Sequence, residues 1–338
     1  MSTKPQPPPA ARRYAWLALR VTVTVGALVW LATRVDLASV WGFLRSVPVH
    51  VVATPFAALL GTAALHATRL TLLLRACDVD LTWRRVFTIF LKATFVGAVS
   101  PRGGADIARV AWLSREAGKV EPVLAAAFVG RILDLVPWLL MLLWGLVSGA
   151  LTPHPPLVAS ATAFSGLFAG VILTTVAIAF FGEPLARRLP LFRDRAIVVA
   201  RATRTLGRAP ATLAIVGVLG LAVGALNVLS VTIVATALGA DLPLLDAIGV
   251  VPAMDTVISL PVTISGVGLR EGVFVLAFEP RGLGQDAAVA AAWTRWSGEI
   301  GRALLGGALF AIGGSLPTAS GGADRPPESH TSSSETNP

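Results

Sequence analysis

The chain has 338 residues, of which 54% are hydrophobic and only 14% are charged, and its mean hydropathy is +0.73. Soluble domains carry about a quarter charged residues, so this composition excludes a soluble protein and predicts a polytopic membrane protein. The net charge of +9 would suit a nucleic-acid binder, but the arginines cluster in short segments between apolar runs, as the positive-inside rule predicts. We therefore expect no nucleic-acid partner.

Cysteine and histidine are sparse. Cys77 is the single cysteine, which excludes an intrachain disulfide and a cysteine-based metal site, and the four histidines are scattered without metal-ligand spacing. No nucleophile elbow occurs, and the loops are too short for a catalytic domain. We expect no metal, no cofactor and no catalytic residue; a catalytic membrane enzyme is the third alternative below two other functions.

The N-terminal segment predicts a tail followed by a retained helix. Residues 1–11 contain four prolines and one lysine, a composition typical of a disordered cytoplasmic tail. Arg12 and Arg13 precede the apolar run Tyr14–Thr33, which is longer than a signal-peptide core and lacks a small-residue cleavage site. We expect this run to stay in the protein as the first helix, with its N-terminus in the cytoplasm.

Residues 35–119 predict an interfacial segment, a span and a short hairpin. Val35–Pro48 is amphipathic, and Val49–Leu74 is long enough to return across the bilayer. Val86–Val99 is apolar but shorter than the roughly 20 residues that a span needs. It ends at the break Ser100–Asp106, and the basic helix Ala105–Lys119 follows. This order favours a re-entrant hairpin on the cytoplasmic side.

The next segments fix the predicted topology. Pro122–Leu151 is a long apolar run, Thr152–Pro156 has no basic residue and is expected outside, and Leu157–Phe181 returns. Glu183–Pro210 contains seven arginines against two acids, which predicts a cytoplasmic location. Ala211–Leu238 then crosses outward.

A second break, Ser259–Gly272, lies between the apolar runs Leu244–Leu260 and Val273–Phe278, and Ala287–Leu316 is the last long run. We therefore predict an all-α polytopic membrane protein with seven to eight hydrophobic elements, two of them re-entrant or broken-helix hairpins. If both hairpins cross fully, the count rises toward ten. The membrane domain is expected over residues 12–318, with a disordered tail at 319–338, in the plasma (inner) membrane with both termini cytoplasmic.

Charged residues inside these segments are functional candidates, because each costs about 2.5–3.5 kcal/mol at mid-membrane. Arg131 and Asp134 lie three apart, so they share a helix face and are expected to pair. Arg102, Asp106 and Arg109 have spacings of four and three, so Asp106 can pair with either arginine if the helix begins near Gly103, and the other arginine stays unpaired beside a glycine-rich helix start. That combination suits a phosphate.

The C-terminal half repeats the pattern. Arg295, Glu299 and Arg302 again place two arginines around one acid. Arg270 and Glu271 are adjacent, so they point apart on a helix, and each is expected to pair with another element.

Three further polar residues lie within apolar runs. Asp255 has no base at helical spacing, and Arg270 or Arg131 is its expected partner. His66 is interpreted as a packing residue and Asn227 as the source of an interhelical hydrogen bond. The predicted cavity for an anionic head group is lined by Arg102, Asp106, Arg109, Arg131, Asp134, Asp255, Arg270, Glu271 and Arg295.

The order of three motifs resembles a known family. The motifs are Pro101-x4-Asp106-x2-Arg109, then Arg131-x2-Asp134-Leu135, then Pro261 followed by Gly266-Val267-Gly268-Leu269-Arg270-Glu271-Gly272, with Arg295 downstream. Together they are similar to the transmembrane (flippase-like) domain of lysylphosphatidylglycerol synthases. The resemblance covers residues 69–316. It implies a stand-alone member, without the cytosolic aminoacyl-transferring domain, that moves a phospholipid or lipid-linked head group between leaflets. Gly130 stands where the family usually has Glu.

Two functions follow as hypotheses. The first is a lipid translocator, whose partner is a membrane phospholipid or lipid-linked substrate. The second is a non-transporting subunit or regulator of a separate lipid-modifying or cell-envelope enzyme, in which the polar set is structural. For the translocator we also expect Gly103–Asp106 and Gly266–Glu271 to meet near the bilayer midplane, with Arg102 and Arg270 holding one phosphate.

Overall fold

The computed structural model describes residues 35–100, 103–188, 209–260 and 266–313, with isolated positions at 22, 25, 26, 29, 33, 207, 262 and 263. Residues 179–188 are described by their backbone alone. Both predicted tails, most of the first helix Tyr14–Thr33 and most of Glu183–Pro210 lie outside the described residues, as do Arg102 and Pro261.

The described part of the chain is helical throughout. Its elements are α1 (Leu37–Ser46), α2 (Val49–Ala76), α3 (Trp83–Val99), α4 (Gly104–Ala117), α5 (Glu121–Val147), α6 (Pro155–Arg188), α7 (Pro210–Ala237), α8 (Leu244–Ile258), α9 (Leu269–Phe278), the 3-10 turn η1 (Glu279–Arg281) and α10 (Gln285–Gly313).

Four of these helices are long and apolar enough to cross a membrane. They are α2, α5, residues Pro155–Ile178 of α6, and α7. A helix of 28 residues such as α2 or α7 is about 42 Å long, which exceeds the roughly 30 Å of hydrocarbon in a bilayer. This result confirms the predicted class, an all-α polytopic membrane protein.

The first predicted break is a helical hairpin. α3 has 17 residues and ends at Val99, and the chain reverses before α4 begins at Gly104. Gly103 has a φ of 93°, a left-handed conformation that glycine adopts without steric cost. α4 then packs back along α3, where a Cβ on Gly97 would lie 2.7 Å from the Cβ of Ala105. Glycine at position 97 therefore allows the two short helices to touch.

The second break separates α8 from α9. Gly266 and Gly268 have φ values of 77° and 78°. The Glu271 carboxylate accepts a hydrogen bond of 2.7 Å from the Gly268 N–H. The expectation that Glu271 pairs with another element is therefore wrong. Its side chain turns back because the first N–H groups of a helix have no partner within the helix.

Small residues let α10 pack closely on its neighbours. α10 contacts α2 and α3, and the backbone at Gly298 approaches Pro55 of α2. A Cβ on Gly306 would collide with the carbonyl oxygen of Leu91 on α3. In lipid, where burial of apolar surface does not drive helix association, such close packing is a main source of stability.

The apolar interior of α2 to α5 ends at a charged region. Leu73 of α2, Leu113 of α4 and Ala126 of α5 are almost fully buried in one cluster. α2 also packs along α7 and against α5. These contacts bring charged side chains of α2, α4 and α5 to one place.

Candidate functional site: a charged cavity between three helices

A cavity of about 310 Å³ lies where α2, α4 and α5 converge beside α3. Its volume is at the lower end of the range for ligand pockets, about 300–1,000 Å³. Its polar lining consists of His66, Arg69, Asp106, Arg109, Arg131 and Asp134, and its apolar lining includes Leu70, Leu73, Phe90, Val110, Leu124, Ala127 and Phe128.

Two carboxylates organise the arginines. Asp106 accepts a hydrogen bond of 3.0 Å from Arg109, three residues along α4, and a second from Arg131 on α5. Asp134 accepts a hydrogen bond from Arg69 on α2. The bond between Asp106 and Arg109 is one of the two alternatives that the sequence left open, and the predicted shared face of Arg131 and Asp134 is confirmed.

The predicted pair of Arg131 with Asp134 is only part of the arrangement. Their nearest nitrogen and oxygen atoms are 3.8 Å apart, beyond hydrogen-bond length. Each residue forms its hydrogen bond with a different helix, Arg131 with Asp106 and Asp134 with Arg69. The spacing of three residues fixes a common face, but the packing of α2 and α4 against α5 decides the partner.

An aromatic stack forms one wall of the cavity. The guanidinium carbon of Arg109 lies 4.0 Å from the centre of the Phe90 ring, within cation–π range. His66 stacks on Phe90 with 5.6 Å between ring centres. Its Nδ1 also lies 3.9 Å from the Asp134 carboxylate. His66 is therefore a packing histidine, as expected, but one that also faces the charged cavity.

The cavity has more positive than negative groups. Arg69, Arg109 and Arg131 face two aspartates, so one guanidinium charge is not compensated within the set. The Arg69 side chain is only 4% exposed, and its Nε and Nη2 have no partner among the described residues, nor has Nε of Arg109. Buried donors without a partner cost about 1–3 kcal/mol each. The excess of guanidinium groups makes the site electrostatically suited to an anion.

Glycine on a neighbouring helix makes room for Arg69. A Cβ on Gly220 of α7 would lie 3.3 Å from Cζ and Nη2 of Arg69 and 3.0 Å from the ring of Pro137 on α5. This is tighter than most carbon contacts, so a larger residue at 220 would press on the guanidinium. α7 thus shapes the cavity without lining it.

A second charged cluster lies between α7, α8 and α10. Asn227 of α7 donates a hydrogen bond of 2.6 Å to Asp255 of α8, and Arg295 of α10 donates one of 2.8 Å to the Asn227 oxygen. Arg295 also donates to Glu299, at 3.2 Å. The interhelical hydrogen bond predicted for Asn227 is confirmed. Neither partner expected for Asp255 bonds to it, because Asn227 is brought opposite Asp255 by the packing of α7 on α8.

Arg270 joins this second cluster. It is 6% exposed, donates a hydrogen bond of 3.2 Å to Glu299 and lies 5.4 Å from the Trp296 ring centre. Its expected pairing with another element is confirmed. Arg302 lies three residues after Glu299 on α10, so the two share one face of that helix.

The two helix breaks have different partners in this arrangement. Asp106 at the first break contacts Arg109 and Arg131, whereas Arg270 at the second contacts Glu299 and Trp296. Because Arg102 lies outside the described residues, a phosphate shared by the two breaks stays a prediction. Substrate binding by the nine predicted lining residues is likewise a prediction.

Arg69 and Phe90 line the cavity but are absent from the set of site residues predicted from the sequence. For Arg69 a signal existed, because a lone arginine inside an otherwise apolar span is itself a reason to expect a functional site. For Phe90 no signal existed, since one phenylalanine in an apolar helix resembles any other.

Two comparisons and one family match complete the description. The model of the family described as the lysylphosphatidylglycerol synthase TM region matches residues 17–295, which include every charged residue of the cavity. A search of curated proteins found no match to this chain. A search of solved structures also found none.

Proposed function

This chain belongs to the lysylphosphatidylglycerol synthase TM region family, and on that premise we propose that it moves an anionic phospholipid or lipid-linked head group between leaflets. The charged cavity is the binding site for the head group in this proposal. Arg69, Arg109 and Arg131 attract the phosphate, while Asp106 and Asp134 hold the guanidinium groups in place.

The observation that carries the proposal is the uncompensated positive charge of the cavity. An isolated charge inside a bilayer is costly, so charged residues that only held helices together would be expected in matched pairs. Here three arginines face two aspartates. A lipid phosphate would supply the missing negative charge and accept from guanidinium donors, which bind phosphate in a planar, bidentate manner.

The two hairpins support a transport role. We propose that α3–α4 and α8–α9 are re-entrant, entering from opposite sides of a plasma membrane, with both chain termini in the cytoplasm. α3 spans about 25 Å as a helix of 17 residues, less than the hydrocarbon thickness. Broken helices of this kind are tolerated at membrane depth when protein covers the break or the break lines a wet cavity.

Reconstitution into liposomes tests the proposal. Vesicles would contain a trace of phosphatidylglycerol that carries a fluorescent label at its head group. A membrane-impermeant quencher would report how much of the label is exposed in the outer leaflet. We expect the wild-type protein to expose the inner-leaflet label faster than empty vesicles do. Arg109→Gln and Asp134→Asn should each slow this exchange at least tenfold.

The matched control is Arg84→Gln. Arg84 is an exposed arginine at the start of α3 that does not line the cavity. This variant should transport like the wild type. Folded protein that fails to exchange any of a panel of anionic and polyprenyl lipids would overturn the proposal and favour the alternative, a non-transporting partner of a separate lipid-modifying enzyme.

A further inference from the structure

A long groove runs along α4 on the side next to the charged cavity. Its volume is about 750 Å³, more than twice that of the cavity. One face of α4 forms its floor, and the start of α5 forms its wall. The lining residues are Asp106, Ile107, Val110, Ala111, Ser114, Arg115, Gly118, Val120 and Leu124.

The groove and the cavity share a boundary. Asp106, Val110 and Leu124 line both. Asp106 is also the carboxylate that holds Arg109 and Arg131, so the inner end of the groove reaches the charged group of the cavity. A molecule lying in the groove therefore has its inner end at the proposed head-group site.

The outer end of the groove carries a guanidinium group without an ion-pair partner, and a buried hydroxyl group lies next to it in the helix. Ser114 is 8% exposed, and its hydroxyl, which has no hydrogen-bond partner among the described residues, has almost no accessible surface and is closed to a ligand in this arrangement. Arg115 is exposed, and no ion pair joins it to any residue in the described part of the chain. Other basic groups nearby are occupied, since Arg85 pairs with Glu116 and Lys119 donates to the carbonyl of Asp78.

The stretch between the two ends is apolar and open. Ile107 is 74% exposed, Val120 58% and Leu124 42%. From Asp106 to Arg115 the helix rises about 14 Å, close to half of the roughly 30 Å hydrocarbon core and so to the depth of one leaflet. In a membrane protein, a stretch of exposed apolar side chains of this length suits lipid chains better than water.

We propose that Arg115 forms an outer phosphate subsite, at which a phospholipid binds before its head group moves along the groove into the charged cavity. The acyl chains would lie against Ile107, Val120 and Leu124. The proposal rests on the proposed function and adds where the lipid is first bound. Phosphate is favoured because the fork of N–H donors on an unpaired guanidinium matches its charge and its several acceptor oxygens.

Cysteine protection tests the subsite without any transport step. Ala111 is exposed in the middle of the groove, and Ala111→Cys adds a reactive thiol there. The natural Cys77 is buried, so its slow labelling can be measured in the wild-type protein and subtracted. The rate of maleimide labelling in detergent would be followed with three additives: phosphatidylglycerol, diacylglycerol with the same chains, and glycerol 3-phosphate.

We expect phosphatidylglycerol to slow the labelling at least fivefold, and neither diacylglycerol nor glycerol 3-phosphate to do so at the same concentration. Adding Arg115→Gln should raise the phosphatidylglycerol concentration for half protection about tenfold, which corresponds to about 1.4 kcal/mol. Ser114→Ala, which removes a hydroxyl closed to the ligand, and the control Arg84→Gln should both leave it unchanged.

Three results would overturn the subsite. Equal protection by diacylglycerol would indicate a groove that recognises acyl chains alone. Equal protection by glycerol 3-phosphate would indicate a site for soluble phosphate. In the third result, Arg115→Gln leaves the protection unchanged. Failure of the proposed function has a different signature. In that case Ala111→Cys is still protected by phosphatidylglycerol, but vesicles containing the protein exchange no lipid.

Discussion

Asp134→Ala should destabilise the protein strongly, because it removes the only described hydrogen-bond acceptor of a buried guanidinium. Arg69 has a side chain that is 4% exposed and donates to Asp134, while two of its other nitrogens already lack a partner. Breaking a buried ion pair by removing one partner costs about 3–5 kcal/mol. The Asp134 side chain is 20% exposed, which favours the lower end, about 3 kcal/mol.

Two companion variants separate charge from packing. Asp134→Asn keeps an acceptor oxygen and the shape of the side chain, so its loss should be smaller, about 1–2 kcal/mol. Combining Arg69→Met with Asp134→Leu removes both charges, and replacement of a buried pair by apolar residues is often close to neutral. This double variant should recover most of the stability lost in Asp134→Ala, yet transport no lipid.

The measurement is reversible unfolding in mixed micelles of detergent and SDS, followed by circular dichroism. Asp80→Ala is the control. The Asp80 side chain is 93% exposed, and its carboxylate is as far as 3.8 Å from its partner Arg75 in a surface ion pair. Such pairs contribute little, so no measurable change is expected. If Asp134→Ala unfolded at the same SDS fraction as Asp80→Ala, the assignment of Asp134 as the essential partner of Arg69 would be wrong.

Three further predictions concern other parts of the chain. Burial, and secondly the charge of Arg281, lower the pKa of His154 in the loop before α6. The unfolded state therefore takes up the proton at a higher pH than the folded state, and stability should fall as the pH drops below about 6.5. His154→Gln should flatten this dependence in thermal unfolding curves. Gly306→Ala should lower the melting temperature by several degrees because its Cβ would strike the α3 backbone, whereas Gly217→Ala, with nothing within 4 Å, should not. A cysteine at Thr152 should be labelled from outside intact cells and one at Thr203 should not; outside labelling of Thr203 would reverse the topology.

Local patterns predicted the helices and their breaks. α4 and α5 begin within one residue of their predicted starts, because glycine, proline and changes in polarity mark helix ends in the sequence. α6 extends beyond the predicted end at Phe181 as far as Arg188. The apolar run ends at Phe181, but a helix can continue past the hydrocarbon into the polar region of the membrane.

The specific partner of a charged group was predicted correctly only within single helices. Asp106 with Arg109 and Arg295 with Glu299 follow from spacings of three and four. Asp134 with Arg69 joins residues 65 apart and depends on how α2 packs against α5. The sequence does not reveal that contact, because whether the arginine fits also depends on small residues of a third helix, such as Gly220.

The stacking of Arg109 on Phe90 restricts the direction from which a ligand can reach that arginine. One face of the guanidinium is covered by the ring, 4.0 Å away, and His66 packs against the same ring. A further N–H of Arg109 is already used by Asp106. Because the N–H groups of a guanidinium lie in its plane, an acceptor that bonds to Arg109 must approach along the remaining edge. In-plane approach favours compact tetrahedral oxyanions with two neighbouring oxygens and disfavours choline-like cations, which bind to aromatic faces that are here already occupied.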